Sequence, residues 1–300
     1  MNAFETASRA GGAEATASRT ALDTAGIVVS PDLTQPAAKQ PTAIPAPRGR
    51  RNRLARFLVR RLATGSVGRR FMLSALDDPR ATSWLLHRLS NKGAAGATFD
   101  DNLLSDTPVR GFEDCFWLFS SNPLNHGLAR LEFDEAAYLF RLVRSLGEPL
   151  AAEIGRFRGG TTFLLAAAGA HVVSVDNDLS RQRTYSLELA AALSRHGLRE
   201  RVEIVIADSR SYPVDLGPFE LVFVDGDHSY AGVQADFEHW WPALADGGHL
   251  VFHDAAFAKT DSRLRTCEGV VRFVAELDAR DVAERRAAPG TLAHFVKRPS

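Results

Sequence analysis

From Leu150 onward the chain alternates short apolar runs with helix-length amphipathic stretches. Leu150–Ile154, His171–Val175, Val202–Ile206, Leu221–Val224 and Leu250–Phe252 are rich in aliphatic, β-branched and aromatic side chains, as buried strands require. Between them, Thr161–Ala168, Ser180–His196 and Gly232–Leu244 read as helices, the second closed by Gly197, and Glu268–Leu277 follows the last strand. Strands that alternate with helices predict an α/β fold: a doubly wound, mostly parallel sheet with helices on both faces. Two more runs, Val282–Arg286 and Thr291–Val296, meet around Pro289-Gly290 and predict an antiparallel edge. Ahead of the series a helix is expected from an N-cap at Asp134 to Leu146, with Gly147 as its stop.

The first 110 residues follow a different pattern. Residues 1–47 are rich in Ala, Thr, Pro and Gly with scattered large apolar residues, which predicts a disordered tail. From Arg48 to Arg70 nine arginines occur, and there is no acidic residue between Asp32 and Asp77. Leu54, Phe57, Leu58 and Leu62 fall at helical spacing there, so a basic amphipathic helix is expected. It suits either an anionic surface or, the preferred reading, packing on the main domain or on a second copy of the chain. That gives a helical N-terminal region and linker over 48–110, with a helix at Thr82–Leu89, and a main domain over 111–300.

Composition narrows the class. A formal net charge of zero, 45% hydrophobic and 24% charged residues are those of a soluble globular protein. No run approaches the ~20 apolar residues of a membrane helix. The N-terminus lacks a secretory h-region. Two cysteines, Cys115 and Cys267, exclude a zinc cluster and a disulfide scaffold. A cytoplasmic protein is expected, with no nucleic-acid partner.

Candidate chemistry lies where the strands end. Leu221–Val224 runs into Asp225, Asp227 and His228, and Leu250–Phe252 runs into His253 and Asp254. Parallel sheets bind ligands outside the carboxyl ends of their strands. Neighbouring strands lie about 4.8 Å apart, so Asp225 and Asp254 can converge on one cation or one hydroxyl. Residues 153–162, EIGRFRGGTT, connect the first strand of the series to its helix. Gly155 permits the turn, and Gly159 and Gly160 admit a ligand close to the backbone. The spacing is neither that of the dinucleotide fingerprint nor that of a P-loop. Asp176, ending the second strand, suits a pair of ribose hydroxyls, and Asp208, ending the third, an adenine amino group.

With these motifs in place, residues 148–297 resemble the class I S-adenosylmethionine-dependent methyltransferases. EIGRFRGGTT is similar to the family's acidic-x-Gly motif and SVDND to its ribose-binding acid. DGDHSY and HDA resemble the group of macrocin-type sugar O-methyltransferases and cephalosporin hydroxylase-like proteins. The resemblance implies a seven-stranded Rossmann-like sheet with a reversed last strand, and S-adenosylmethionine as cofactor at Glu153, Gly155, Gly159, Asp176 and Asp208. It implies methyl transfer to a hydroxyl of a small molecule, with Asp225 and His228 as catalytic groups. Asp225 and Asp254 match positions that hold Mg²⁺ in metal-dependent relatives, but Ala255 stands where several of them carry a further ligand. A hydroxylase-like reaction on the same fold and a catalytically silent cofactor-binding subunit are the alternatives.

Overall fold

Aliphatic and β-branched runs form the strands, as expected, and one such run lies where none was foreseen. The computed structural model describes residues 26–29, 109–119, 128–177, 179–257, 261, 263–280 and 282–299, which fall in one compact unit. The expected basic helix within 48–70, the helix at 82–89 and residues 120–127 lie outside the described residues. The sheet is built from β1 (Ile27–Val29), β2 (Leu150–Ile154), β3 (His171–Asp176), β4 (Val202–Ile206), β5 (Phe219–Val224), β6 (Leu244–Phe252), β7 (Ala283–Arg286) and β8 (Ala293–Lys297). The helices are α1 (Phe133–Leu146), α2 (Gly160–Ala168), α3 (Leu179–Arg195), α4 (Tyr230–Trp240) and α5 (Leu264–Asp278).

The strand order is β1-β4-β3-β2-β5-β6-β8-β7. β1 to β6 are parallel where they pair, whereas β8 runs antiparallel to β6 and to β7. This is the mixed, Rossmann-like sheet expected, with eight strands among the described residues in place of seven. The extra strand corrects the reading of residues 1–47 as tail throughout. Ile27, Val28 and Val29 pair with Ile204, Val205 and Ile206, and Ile27 is buried. Three consecutive β-branched residues suit an edge that α/β proteins otherwise leave unpaired.

Some of the boundaries that moved have plain local reasons. α1 starts after Glu132, not Asp134, because Glu135 at its third position turns back to accept from the Glu132 amide at 2.8 Å. α4 stops at Trp240 and a 3-10 turn over Trp241–Ala243 follows. Pro242 cannot continue a helix, so β6 starts at Leu244 and reaches its paired stretch through Gly247-Gly248.

Side chains alternate across the sheet and split the core into two layers. Ala151, Val172, Ile204, Leu221, Phe223 and Val251 pack with α1, α2 and α3. Ala152, Val173, Val205, Val222, Val224, Leu250 and Phe252 pack with α4 and α5. α5 meets them with Cys267, Val270, Phe273, Val274 and Leu277 at helical spacing. β2 and β5 are neighbours from which the chain winds outward in both directions, so the crevice above their carboxyl ends is the topological switch point.

Candidate active site

The glycine loop leaves β2 at that switch point. Gly155 has φ +89°, and a Cβ there would lie 2.1 Å from the Asp225 carbonyl oxygen. The loop therefore crosses the end of β5 with no room for a side chain. Gly159 caps α2 in the left-handed region. Gly160 lets α2 start close against the preceding segment, since its Cβ would lie 2.1 Å from the Ala129 amide nitrogen. Phe157 is held by its amide, which donates to Asp176 Oδ2 at 2.9 Å, and its ring lies 4.3 Å from the Arg130 guanidinium carbon.

Alternation puts Glu153 on the α1–α3 face of the sheet, beneath the loop. It is 0% exposed. Its Oε2 accepts from the hydroxyls of Thr162 and Ser174, and Oε1 is buried with no hydrogen-bond partner. Burial pushes its carboxyl up to about 7 against those hydroxyls and Arg156. Through these bonds Glu153 braces β2, β3 and α2. Arg156 is a second brace, donating to the Ser174 and Val205 carbonyls at 2.6 and 2.9 Å and to Ser186 Oγ at 3.1 Å.

The two strand-ending acids fare differently. Asp176 is partly exposed at the end of β3, beside the loop, where a vicinal diol can reach it. Asp208 lies past the end of β4 but is committed to its own turn. Arg210 Nε and the Arg210 amide donate to its Oδ1 at 2.8 and 3.0 Å, and Nη2 donates to Oδ2 at 2.6 Å. The hydrogen bond from the Arg210 side chain holds the Asp208 carboxyl below its usual range. Behind it, α4 carries a buried acid that sequence reasoning missed, Asp236. Asp236 accepts from Ser209 Oγ at 2.6 Å, and burial pushes its carboxyl up to about 6. Trp240 is buried and donates to the Ser209 carbonyl at 3.1 Å.

The second half of the site is a cluster of carboxylates and imidazoles at the ends of β5 and β6. His253 sits between two acids: Nδ1 is 3.0 Å from Asp225 Oδ1 and Nε2 is 3.3 Å from Glu135 Oε2. It is 7% exposed. Burial lowers its affinity for a proton, but Asp225, Glu135 and Asp254 outweigh burial and raise its pKa well above the ordinary value. Glu135 is fully buried, and Thr291 donates to its Oε1 through the amide at 2.6 Å and the hydroxyl at 2.8 Å. Burial would raise Glu135, yet His253 and the amides of Thr291 and Glu132 hold it at about 2. Burial likewise opposes ionisation of Asp225, and the two imidazoles hold it at about 2.

His228 completes the group. Its Nε2 lies 3.6 Å from Asp225 Oδ1 and 3.6 Å from Asp254 Oδ2 and makes no hydrogen bond. Contact with Asp225 raises its pKa, burial opposing and the charges of Asp225 and Asp254 adding. Asp254 turns with φ +53°, while its amide donates to Thr291 Oγ1 at 3.3 Å. The structure thus brings Asp225, His228 and Asp254 together as expected, beside Gly155.

Residues 152–255 match the family described as a methyltransferase domain. Among solved structures, the chain is similar to an O-methyltransferase from Bacillus cereus in complex with SAH, at 20% identity and a TM-score of 0.45 over 56% of this chain and 82% of that one. It is also similar to the O-methyltransferase TomG from Streptomyces achromogenes, involved in tomaymycin synthesis and in complex with SAM. There the identity is 21% and the TM-score 0.45, over 58% of this chain and 83% of that one.

The residues that sequence reasoning missed are those that only long-range contacts reveal. Glu135 precedes the family match and meets His253 across 118 positions. Its sole local signal was an acid at the third position of a helix. His253, seen in the sequence only as the residue after a strand, joins α1 to the ends of β5 and β6. Thr291, expected as the start of an edge strand, lies just before β8 and fixes both Glu135 and Asp254.

Proposed function

We propose that the chain transfers a methyl group from S-adenosylmethionine to a hydroxyl of a small molecule, sugar or natural-product-like, as in the macrocin-type group it resembles. The observation that carries this reading is the unpartnered His228 Nε2, 3.6 Å from two carboxylate oxygens at the strand ends that adjoin the glycine loop.

The residues fit the cofactor. The glycine loop turns over the end of β5 at Gly155, Gly159 opens α2, and the partly exposed Asp176 stands beside the loop at the end of β3. Asp176 would hold the ribose and the loop the amino-acid end; Asp208, its carboxylate tied to Arg210, would meet adenine through its backbone. When bound, the cofactor supplies an electrophilic methyl group.

This chain's residues would supply the rest. An acceptor hydroxyl lodged among His228 Nε2, Asp225 and Asp254 gives its proton to His228. The two carboxylates stabilise the imidazolium that results. Fixing the hydroxyl in line contributes on the order of 7–11 kcal/mol in well-oriented reactions. Mg²⁺ assistance fits poorly, because Mg²⁺ selects oxygen ligands and near-octahedral geometry. Here two imidazoles flank the carboxylates, and Ala255 offers no side-chain oxygen.

The test is a cofactor-binding titration together with product mass. Wild-type protein is expected to bind S-adenosylmethionine and add one methyl group to a hydroxylated acceptor. His228→Asn should lower kcat about 10²–10⁴-fold while cofactor affinity stays within about two-fold. Absence of cofactor binding, or a product heavier by oxygen, would overturn the reading.

A further inference from the structure

Carboxylate oxygens and imidazole nitrogens alternate around a closed ring at the ends of β5 and β6. Asp225 Oδ1 lies 3.0 Å from His253 Nδ1 and 3.6 Å from His228 Nε2. Asp254 Oδ2 lies 3.7 Å from His253 Nδ1 and 3.6 Å from His228 Nε2. By resemblance Asp225 and Asp254 are ion positions, yet what stands between them is nitrogen. His253 is fixed in that place from behind. Its Nε2 meets Glu135 Oε2 at 3.3 Å, and the Glu135 oxygens also accept from the Thr291 amide, the Thr291 hydroxyl and the Glu132 amide. Ionised carboxylates only accept hydrogen bonds, so a ring bonded to one on each side donates from both nitrogens. A ring nitrogen that carries a proton has no lone pair to give an ion, and its N–H turns a positive end to the space an ion would fill. Turning the ring away would strip a fully buried Glu135 of its charged partner, which is strongly destabilising.

We propose that this site works without Mg²⁺ or another hard divalent ion: His253, aimed by Glu135, takes the ion's position and holds Asp225 and Asp254 in place around the acceptor hydroxyl. Hard ions ask for a shell of oxygens, whereas here an N–H is bonded to the first acid and Ala255 adds no side-chain oxygen beside the second. The His253 N–H supplies positive charge to the two acids, as an ion would, and leaves proton removal to His228 Nε2. Glu135 and His253 are thus positioning residues, acting through Asp225. The inference rests on the methyl-transfer reading for its purpose, but its test needs neither cofactor nor acceptor.

Full-length protein freed of metal is titrated with Mg²⁺ by calorimetry and, separately, with Mn²⁺ by electron paramagnetic resonance. Wild type is expected to leave both ions free at millimolar concentration. Nitrogen-15 resonances of the His253 ring should show a proton on each nitrogen, unchanged by EDTA or by added Mg²⁺. His253→Asn puts an amide oxygen near the place of the N–H and should raise Mn²⁺ affinity at least about ten-fold, since hard ions select oxygen ligands. Uptake of one Mg²⁺ or Mn²⁺ per wild-type chain that Asp225→Asn abolishes, or a His253 Nδ1 without its proton, overturns the proposal. Unchanged Mn²⁺ affinity in a folded His253→Asn overturns it too. If that variant fails to fold, the wild-type titrations and spectrum still decide. S-adenosylmethionine affinity is read on the same samples. Its absence with no ion uptake would remove the methyl-transfer reading alone, and cofactor binding together with ion uptake would remove this inference alone.

Discussion

At the scale of single residues, burial decides what each acid does. Asp225, Glu135 and Glu153 are all carboxylates on the same face of the sheet or against it, yet they end in opposite states. Asp225 and Glu135 have imidazole and amide donors and are held at about 2. Glu153 has two hydroxyl donors and an unpartnered oxygen, so burial prevails and holds it at about 7. A carboxyl raised on folding binds its proton more tightly in the folded state. Its contribution to stability is therefore complete below its unfolded value of 4.5 and is lost as pH rises to about 7. The span corresponds to about 3 kcal/mol at 1.36 kcal/mol per unit. Glu153→Gln keeps an acceptor for Thr162 and Ser174 and cannot ionise. Its stability relative to wild type, from denaturant unfolding at pH 4.5 and pH 8, should rise by about that amount across the interval. An unchanged difference between the two pH values would show that Glu153 is not the group responsible.

Elements bring these residues together through rules that act over a few positions. The end of β5 offers Asp225 and the end of β6 offers His253 on one face because side chains alternate along both strands. The glycine loop then fits over β5 only because Gly155 has no Cβ, with the Asp225 carbonyl beneath it. Gly155→Ala combines a left-handed backbone with a clash against backbone atoms, and it should cost more than about 1 kcal/mol. Because the displaced group is Asp225, the same variant should weaken S-adenosylmethionine binding and slow turnover together. Calorimetric melting and a cofactor titration check both effects. A stable variant with wild-type affinity would mean that the loop does not rest on β5 in solution. The glycine and the strand alternation were legible in the sequence. The end of α4 was misjudged because its apolar pattern runs on past Pro242, and the proline's loss of a backbone donor outweighs that pattern.

For the molecule as a whole, the sheet is closed on one side by a segment from far upstream. β1 covers the otherwise open edge of β4, and Ile27 joins the core that α1, α2 and α3 share. Replacing a buried Ile by Ala usually costs about 2–5 kcal/mol, and an edge strand of three residues places Ile27→Ala near the low end. The amides of β4 should exchange with deuterium faster in that variant, while those of β5 and β6 keep their wild-type rates. Equal acceleration across the whole sheet would show that β1 supports the fold globally and not one edge. The sequence by itself determined the order of strands and helices, the sheet class, the glycine loop and the acids at the strand ends, because those follow from periodicities of two and 3.6 residues and from local backbone chemistry. Only the tertiary structure decided that Ile27–Val29 joins the sheet, that Glu153 is buried against Thr162 and Ser174, and that Glu135 and Thr291 lock His253. Each of those depends on a contact between residues far apart in the chain, and no short-range pattern encodes such a contact.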